Sequence, residues 1–92
     1  MSLKGKVAVV TGSTSGIGLG VARALATEGC AIMLNGFGDK AAIEKVQHDL
    51  AQHHGVKVSY NGADMSKPAE IASMVVAAER ELGACDILVN NA

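Results

Sequence analysis

Eight residues, Thr11-Gly12-Ser13-Thr14-Ser15-Gly16-Ile17-Gly18, separate a short aliphatic run from a helical repeat. Three glycines and four hydroxyls in eight positions cannot continue a strand, and they open directly into apolar residues at helical spacing. A strand that turns this sharply into a helix is the first unit of a parallel sheet with crossover helices. Gly12 lets the chain leave the strand abruptly. Gly16 leaves room for a phosphate to approach the backbone, and Gly18 lets the helix lie close to the sheet. The helix start then presents free N–H groups and partial positive charge to an anion. The hydroxyls of Ser13, Thr14 and Ser15 can add donors.

The rest of the chain repeats the alternation. Residues 6–10 form the first strand. The first helix follows over residues 17–28, with Ile17, Val21, Ala24 and Leu25 as its apolar stripe and Gly29 as its stop. A second strand covers residues 31–34. Asp39 is suited to cap a helix over residues 40–54, whose stripe is Ile43, Val46 and Leu50. A third strand is expected over residues 56–60. Ser66 is expected to cap a third helix, with Pro68 in its first turn, where a missing N–H costs nothing. Residues 87–89 form the fourth strand. The pattern βαβαβαβ, with no hairpin turn joining adjacent strands, predicts a Rossmann-type doubly wound parallel sheet of order 3-2-1-4. Residues 1–92 are thus expected to make a partial sheet, the N-terminal half of a Rossmann dinucleotide-binding domain with its catalytic half absent.

Composition agrees and narrows the function. Of 92 residues, 49% are hydrophobic and only 2% aromatic, so the core is aliphatic, as in buried parallel strands. The net charge of −1, with no block of like charge, argues against nucleic acid or an anionic membrane as partner. No apolar run approaches the roughly 20 residues that span a bilayer. The start runs straight into a strand and does not read as a signal peptide, so a cytoplasmic location is expected. Cys30 and Cys85 read as reduced thiols, and His48, His53 and His54 lack the partners of a metal site.

Two rival phosphate loops fail. A nucleoside-triphosphatase loop needs Gly-Lys-Ser/Thr, but Ile17 follows Gly16. The GxGxxG fingerprint needs a glycine where Val21 stands. The pattern present is TGxxxGxG after the first strand, Asp64 after the third, and Asn90-Asn91-Ala92 after the fourth. Together these resemble the short-chain dehydrogenase/reductase family. The resemblance implies that residues 12–18 (Gly12, Ser13, Thr14, Ser15, Gly16, Ile17, Gly18) hold a diphosphate. It implies that Asp64 accepts from the adenine amino group and Met65 offers its backbone. Asn91 and Ala92 would line the adenosine side, and Asn90 would tie neighbouring strands.

Dinucleotide folds select NAD with an acid on the ribose and NADP with a cation on the 2′-phosphate. No Arg or Lys occurs in the glycine loop or in Asn35-Gly36-Phe37-Gly38-Asp39, so the expected cofactor is NAD. Asn35 stands where an acid is usual, and backbone at Gly36 and Phe37 is expected to take over part of the ribose contact. The strings Leu34-Asn35-Gly36-Phe37-Gly38-Asp39 and Gly55-Val56-Lys57-Val58 are similar to those of the bacterial 3-hydroxybutyrate dehydrogenases within the family. That likeness implies hydride transfer between 3-hydroxybutyrate and acetoacetate, a step of ketone body metabolism, with a small hydroxy or keto acid as substrate and a homo-tetrameric parent. Alternatives are an NADP-dependent 3-oxoacyl-carrier-protein reductase-like enzyme, a non-catalytic nucleotide-binding module, and an interaction module using an open sheet edge.

The family's Tyr-x-x-x-Lys pair has no counterpart here. Tyr60 is the one tyrosine, and Asp64, not Lys, stands four residues on. No catalytic residue is assigned, and the chain alone is expected to be inactive. The family's motif continues with Gly after Ala92, so a truncated chain with an open fourth strand is expected, marginally stable and prone to associate.

Overall fold

The computed structural model describes residues 3–91. Seven elements follow in the expected alternation: β1 (Val7–Val10), α1 (Gly16–Thr27), β2 (Ala31–Asn35), α2 (Lys40–His54), β3 (Val58–Asn61), α3 (Pro68–Leu82) and β4 (Ile87–Val89). The four strands form one parallel sheet of order β3-β2-β1-β4. β1 is central. Val10 stands beside Leu34 of β2 and Val89 of β4. β2 continues outward, with Asn35 beside Asn61 of β3.

Strand alternation sends successive side chains to opposite faces. Ala8, Val10, Ile32 and Leu34 join Ala22, Ala26, Cys30 and Leu50 in one buried cluster, under α1 and α2. Val9 and Met33 face the other way, onto Met74, Ala77 and Ala78 of α3. Every residue of β1 is therefore buried, which is why it reads as unbroken aliphatics. Each large side chain so buried contributes about 1.5–3 kcal/mol.

Three local expectations need correction. The buried stripe of α1 is Gly18, Ala22 and Ala26, one position out of phase with the apolar residues named above. Small residues win because a helix lying against a sheet comes closest where side chains are smallest. Ile17 is left 81% exposed. The N-cap of α3 is Lys67, without a side-chain bond, rather than Ser66. The amide and hydroxyl of Ser66 both donate to Oδ1 of Asp64, at 2.9 and 2.7 Å, so its side chain is committed to the preceding turn. β3 starts at Val58, two residues later than expected. Asp39 does cap α2, accepting from the Ala42 amide at 3.1 Å.

Both cysteines are free thiols, and burial is the main cause that pushes each above its ordinary pKa. Among the described residues no helix is long and apolar enough to cross a membrane, and no group of three or more His, Cys, Asp and Glu is placed to hold a metal.

Candidate functional site

The loops leaving β1, β2 and β3 meet at the carboxyl end of the sheet, where open α/β sheets take their ligands. They enclose a cleft of about 270 Å³ lined by Gly12, Thr14, Ser15, Asn35, Gly36, Phe37, Ala63, Asp64, Met65 and Ser66. Two larger hollows, of about 430 and 520 Å³, include no residue of the glycine loop. Chemistry rather than size marks the smaller one as the site.

α1 begins at Gly16 and points its N-terminus at this cleft. Ser15, its N-cap, makes no side-chain capping bond, and no acidic residue occupies the first turn. The first-turn amides are thus left for solvent or a ligand, at the positive end of the helix. A Cβ built on Gly16 meets nothing within 4 Å, so the space above the loop is open. Gly18 is the opposite case. A Cβ there would lie 2.0 Å from the carbonyl oxygen of Gly12. The helix can approach its own loop only because that position carries no side chain.

The expected donors divide into two groups. Ser13 is buried, its hydroxyl donating to the Val10 carbonyl at 2.6 Å and accepting from the Asn35 amide at 3.0 Å. Its amide donates to the Asn35 carbonyl at 2.7 Å. Ser13 therefore braces the loop and does not face the cleft with its hydroxyl. Thr14 and Ser15 line the cleft. The Thr14 hydroxyl donates to the Phe37 carbonyl at 3.2 Å, clipping the first loop to the second. Phe37, 72% exposed, lines the cleft, whereas Ile17 is exposed without lining it.

Asn35 differs most from what the sequence suggests. It is almost completely buried (1% exposed) and turned into the fold. Its Oδ1 accepts from the Gly12 amide at 3.3 Å, and its Nδ2 donates to the carbonyls of Asn61 and Ala63, both at 3.0 Å. Its carboxamide is thus committed to backbone partners on both sides. The next residue, Gly36, faces the cleft, with φ +148° and no side chain. The Tyr60 hydroxyl donates to the Gly36 carbonyl, a structural role that suits its position on β3.

Asp64 and Met65 form the far wall. The Asp64 carboxylate lies below its ordinary pKa, chiefly through the Ser66 hydroxyl bond, then the Ser66 amide, with Lys67 adding attraction. A folded-state pKa below the unfolded one means the stabilisation is present above the unfolded value and lost as pH falls through the folded value. A carboxyl-detected NMR titration should therefore show Asp64 ionised at pH values where an unperturbed aspartate is already protonating, and Ser66→Ala should move the midpoint up. A midpoint at or above the ordinary aspartate value would contradict the geometry.

On the other side, β4 delivers Asn91. Its amide donates to the Thr11 hydroxyl at 2.8 Å and its Nδ2 to the Gly12 carbonyl at 3.2 Å. The tie between neighbouring strands expected of Asn90 thus runs through Asn91. Ala92, also named as an adenosine-side residue, lies outside the described residues.

Residues 6–92 match the short chain dehydrogenase family. The chain is 56% identical over 91 residues to D-beta-hydroxybutyrate dehydrogenase of Cupriavidus necator, covering 98% of this chain and 34% of that protein. It is 51% identical over 87 residues to the enzyme of the same name from Rhizobium meliloti, covering 95% and 34%. The solved structure of L-sorbose reductase from Gluconobacter frateurii, complexed with NADPH and L-sorbose, matches with TM-score 0.89 at 37% identity, over 99% of this chain and 34% of that one. The chain thus spans about a third of the length of these relatives.

Proposed function

The chain belongs to the short-chain dehydrogenase family, and on that premise we propose that it is the NAD(H)-holding section of an oxidoreductase that interconverts 3-hydroxybutyrate and acetoacetate. The substrate rests on likeness to the two D-beta-hydroxybutyrate dehydrogenases, which are more similar to it than the sorbose reductase is. The cofactor rests on the site itself. The observation that carries it is the uncapped start of α1 beneath open space at Gly16, at the carboxyl end of β1.

The residues fit a dinucleotide. The first-turn amides from Gly16 onward, with Thr14 and Ser15, would hold the diphosphate. Backbone at Gly36 and Phe37 would meet the adenosine ribose, Asp64 and Met65 the adenine, and the exposed rings and methyls of Phe37 and Ile17 would cover apolar faces. Asn91 keeps the glycine loop against β4 and so sets the height of the cradle. When bound, the nicotinamide supplies or accepts the hydride. The chain itself carries no Tyr-x-x-x-Lys pair. Tyr60 spends its hydroxyl on the Gly36 carbonyl. Binding without appreciable turnover is therefore the expected behaviour of the 92 residues.

The choice between NAD and NADP follows from charge. No Lys or Arg lines the cleft, and its one charged residue is the acid Asp64. A 2′-phosphate would lose hydration with no cation to replace it. Fluorescence titration should find NADH bound about tenfold or more tighter than NADPH. Equal or tighter NADPH binding would favour a reading closer to the sorbose reductase, whose structure holds NADPH.

A further inference from the structure

Asn35 ends a strand whose last four residues are all buried, and a buried polar side chain must find partners for each of its hydrogen-bonding groups. Its three partners lie in two different segments, the loop after β1 and the end of β3 with the loop that follows it. Oδ1 takes the amide of Gly12, in the loop that would carry the diphosphate. Nδ2 gives one hydrogen to Asn61 and one to Ala63, the residues leading into Asp64, which would carry the adenine. The backbone of Asn35 is bonded on both sides to Ser13, and its successor Gly36 begins the ribose segment. One amide group therefore stands at the crossing of the three segments that the proposed cofactor would span.

We infer that Asn35 is a positioning residue for the dinucleotide: it sets the distance between the diphosphate cradle and the adenine wall, spends its carboxamide on backbone partners rather than on the ligand, and leaves ribose reading to the backbone that follows it. This rests on the reading of the cleft as an NAD(H) site and adds which residue holds its parts in register. A carboxamide is required because the position needs one acceptor and two donors. A carboxylate of the same shape would offer the Gly12 amide a stronger acceptor but would turn an oxygen on two carbonyl oxygens 3.0 Å away.

The test compares ligands of different reach on the full chain. Asn35→Ser, which is neutral, should weaken NADH binding about tenfold while changing the binding of inorganic pyrophosphate, followed by amide NMR shifts of residues 14–18, by less than about twofold. A residue that merely stabilised the fold would affect both ligands or neither. Asn35→Asp should also weaken NADH, whereas an acid reading ribose hydroxyls from this position would tighten it. Circular dichroism melts fix the temperature at which both variants are folded, and binding is measured there. Retained NADH affinity in Asn35→Ser, equal loss of both ligands, or tighter binding in Asn35→Asp would overturn the inference alone. Failure of the unaltered chain to bind NADH would overturn the functional reading and this inference with it.

Discussion

Gly18→Ala is expected to destabilise the chain by about 3 kcal/mol and to abolish measurable NADH binding. The new methyl carbon would start 2.0 Å from the Gly12 carbonyl oxygen, 2.8 Å from its carbon and 2.7 Å from Asn91 Nδ2. Two of those three atoms are backbone, so rotamer changes cannot relieve the contact. Either α1 lifts from the sheet or the loop at Gly12 moves. Lifting α1 uncovers Ala22 and Ala26, which pack on β1 and β2. Moving Gly12 breaks its bonds to Asn35 and Asn91. For a domain of this size the cost corresponds to a fall in melting temperature of roughly 12–24 °C. Thermal melts and NADH titration on the same sample measure both effects. A melting temperature within about 2 °C of the parent would show that helix and loop are not in the contact described.

The second large effect runs against the usual logic of cofactor engineering. Dinucleotide folds favour NAD with an acid near the ribose, so Gly36→Asp looks like an improvement. Here it should weaken NADH binding about tenfold or more. Gly36 sits at φ +148°, a conformation that side chains resist at a cost of about 1–3 kcal/mol. Its Cβ would also start 2.8 Å from Thr14 Oγ1. Thr14 cannot turn away without losing its bond to the Phe37 carbonyl, which joins the loops that follow β1 and β2. Gly36→Ala should show most of the same loss, because the conflict begins at Cβ rather than at the carboxylate. Tighter NADH binding in Gly36→Asp would show that the loop relaxes freely and that the clip between Thr14 and Phe37 is dispensable.

Particular residues show how far the sequence could be read. Gly12, Gly16 and Gly18 announced the strand, turn and helix because glycine spacing reports backbone approach directly. Asp39 announced a cap because its one competing use, a local turn, was not in demand. Ser66 carried the same signal and was taken instead by Asp64, a competition that spacing cannot reveal. Ile17 and Val21 looked like the inner face of α1, but close packing on the sheet selected Gly18, Ala22 and Ala26. Asn35 looked like a substituted ribose acid. Its direction was illegible because β2 is buried on both faces, so no polar and apolar alternation marks which way each residue points.

From the chain alone came the alternation of elements, the parallel order, the glycine loop between β1 and α1 and the absence of the family's Tyr-x-x-x-Lys pair. These rest on local rules: backbone freedom at glycine, helical periodicity, and short connections between strand and helix. Tertiary structure alone decided that Ser13 braces the loop from inside, that Asn35 joins three segments, that Gly36 faces the cleft and that Asn91 supports the first loop. Each depends on which buried polar atoms come within hydrogen-bond reach across 22 to 80 residues of sequence. That is set by how the strands are stacked and by the requirement that every buried donor find an acceptor.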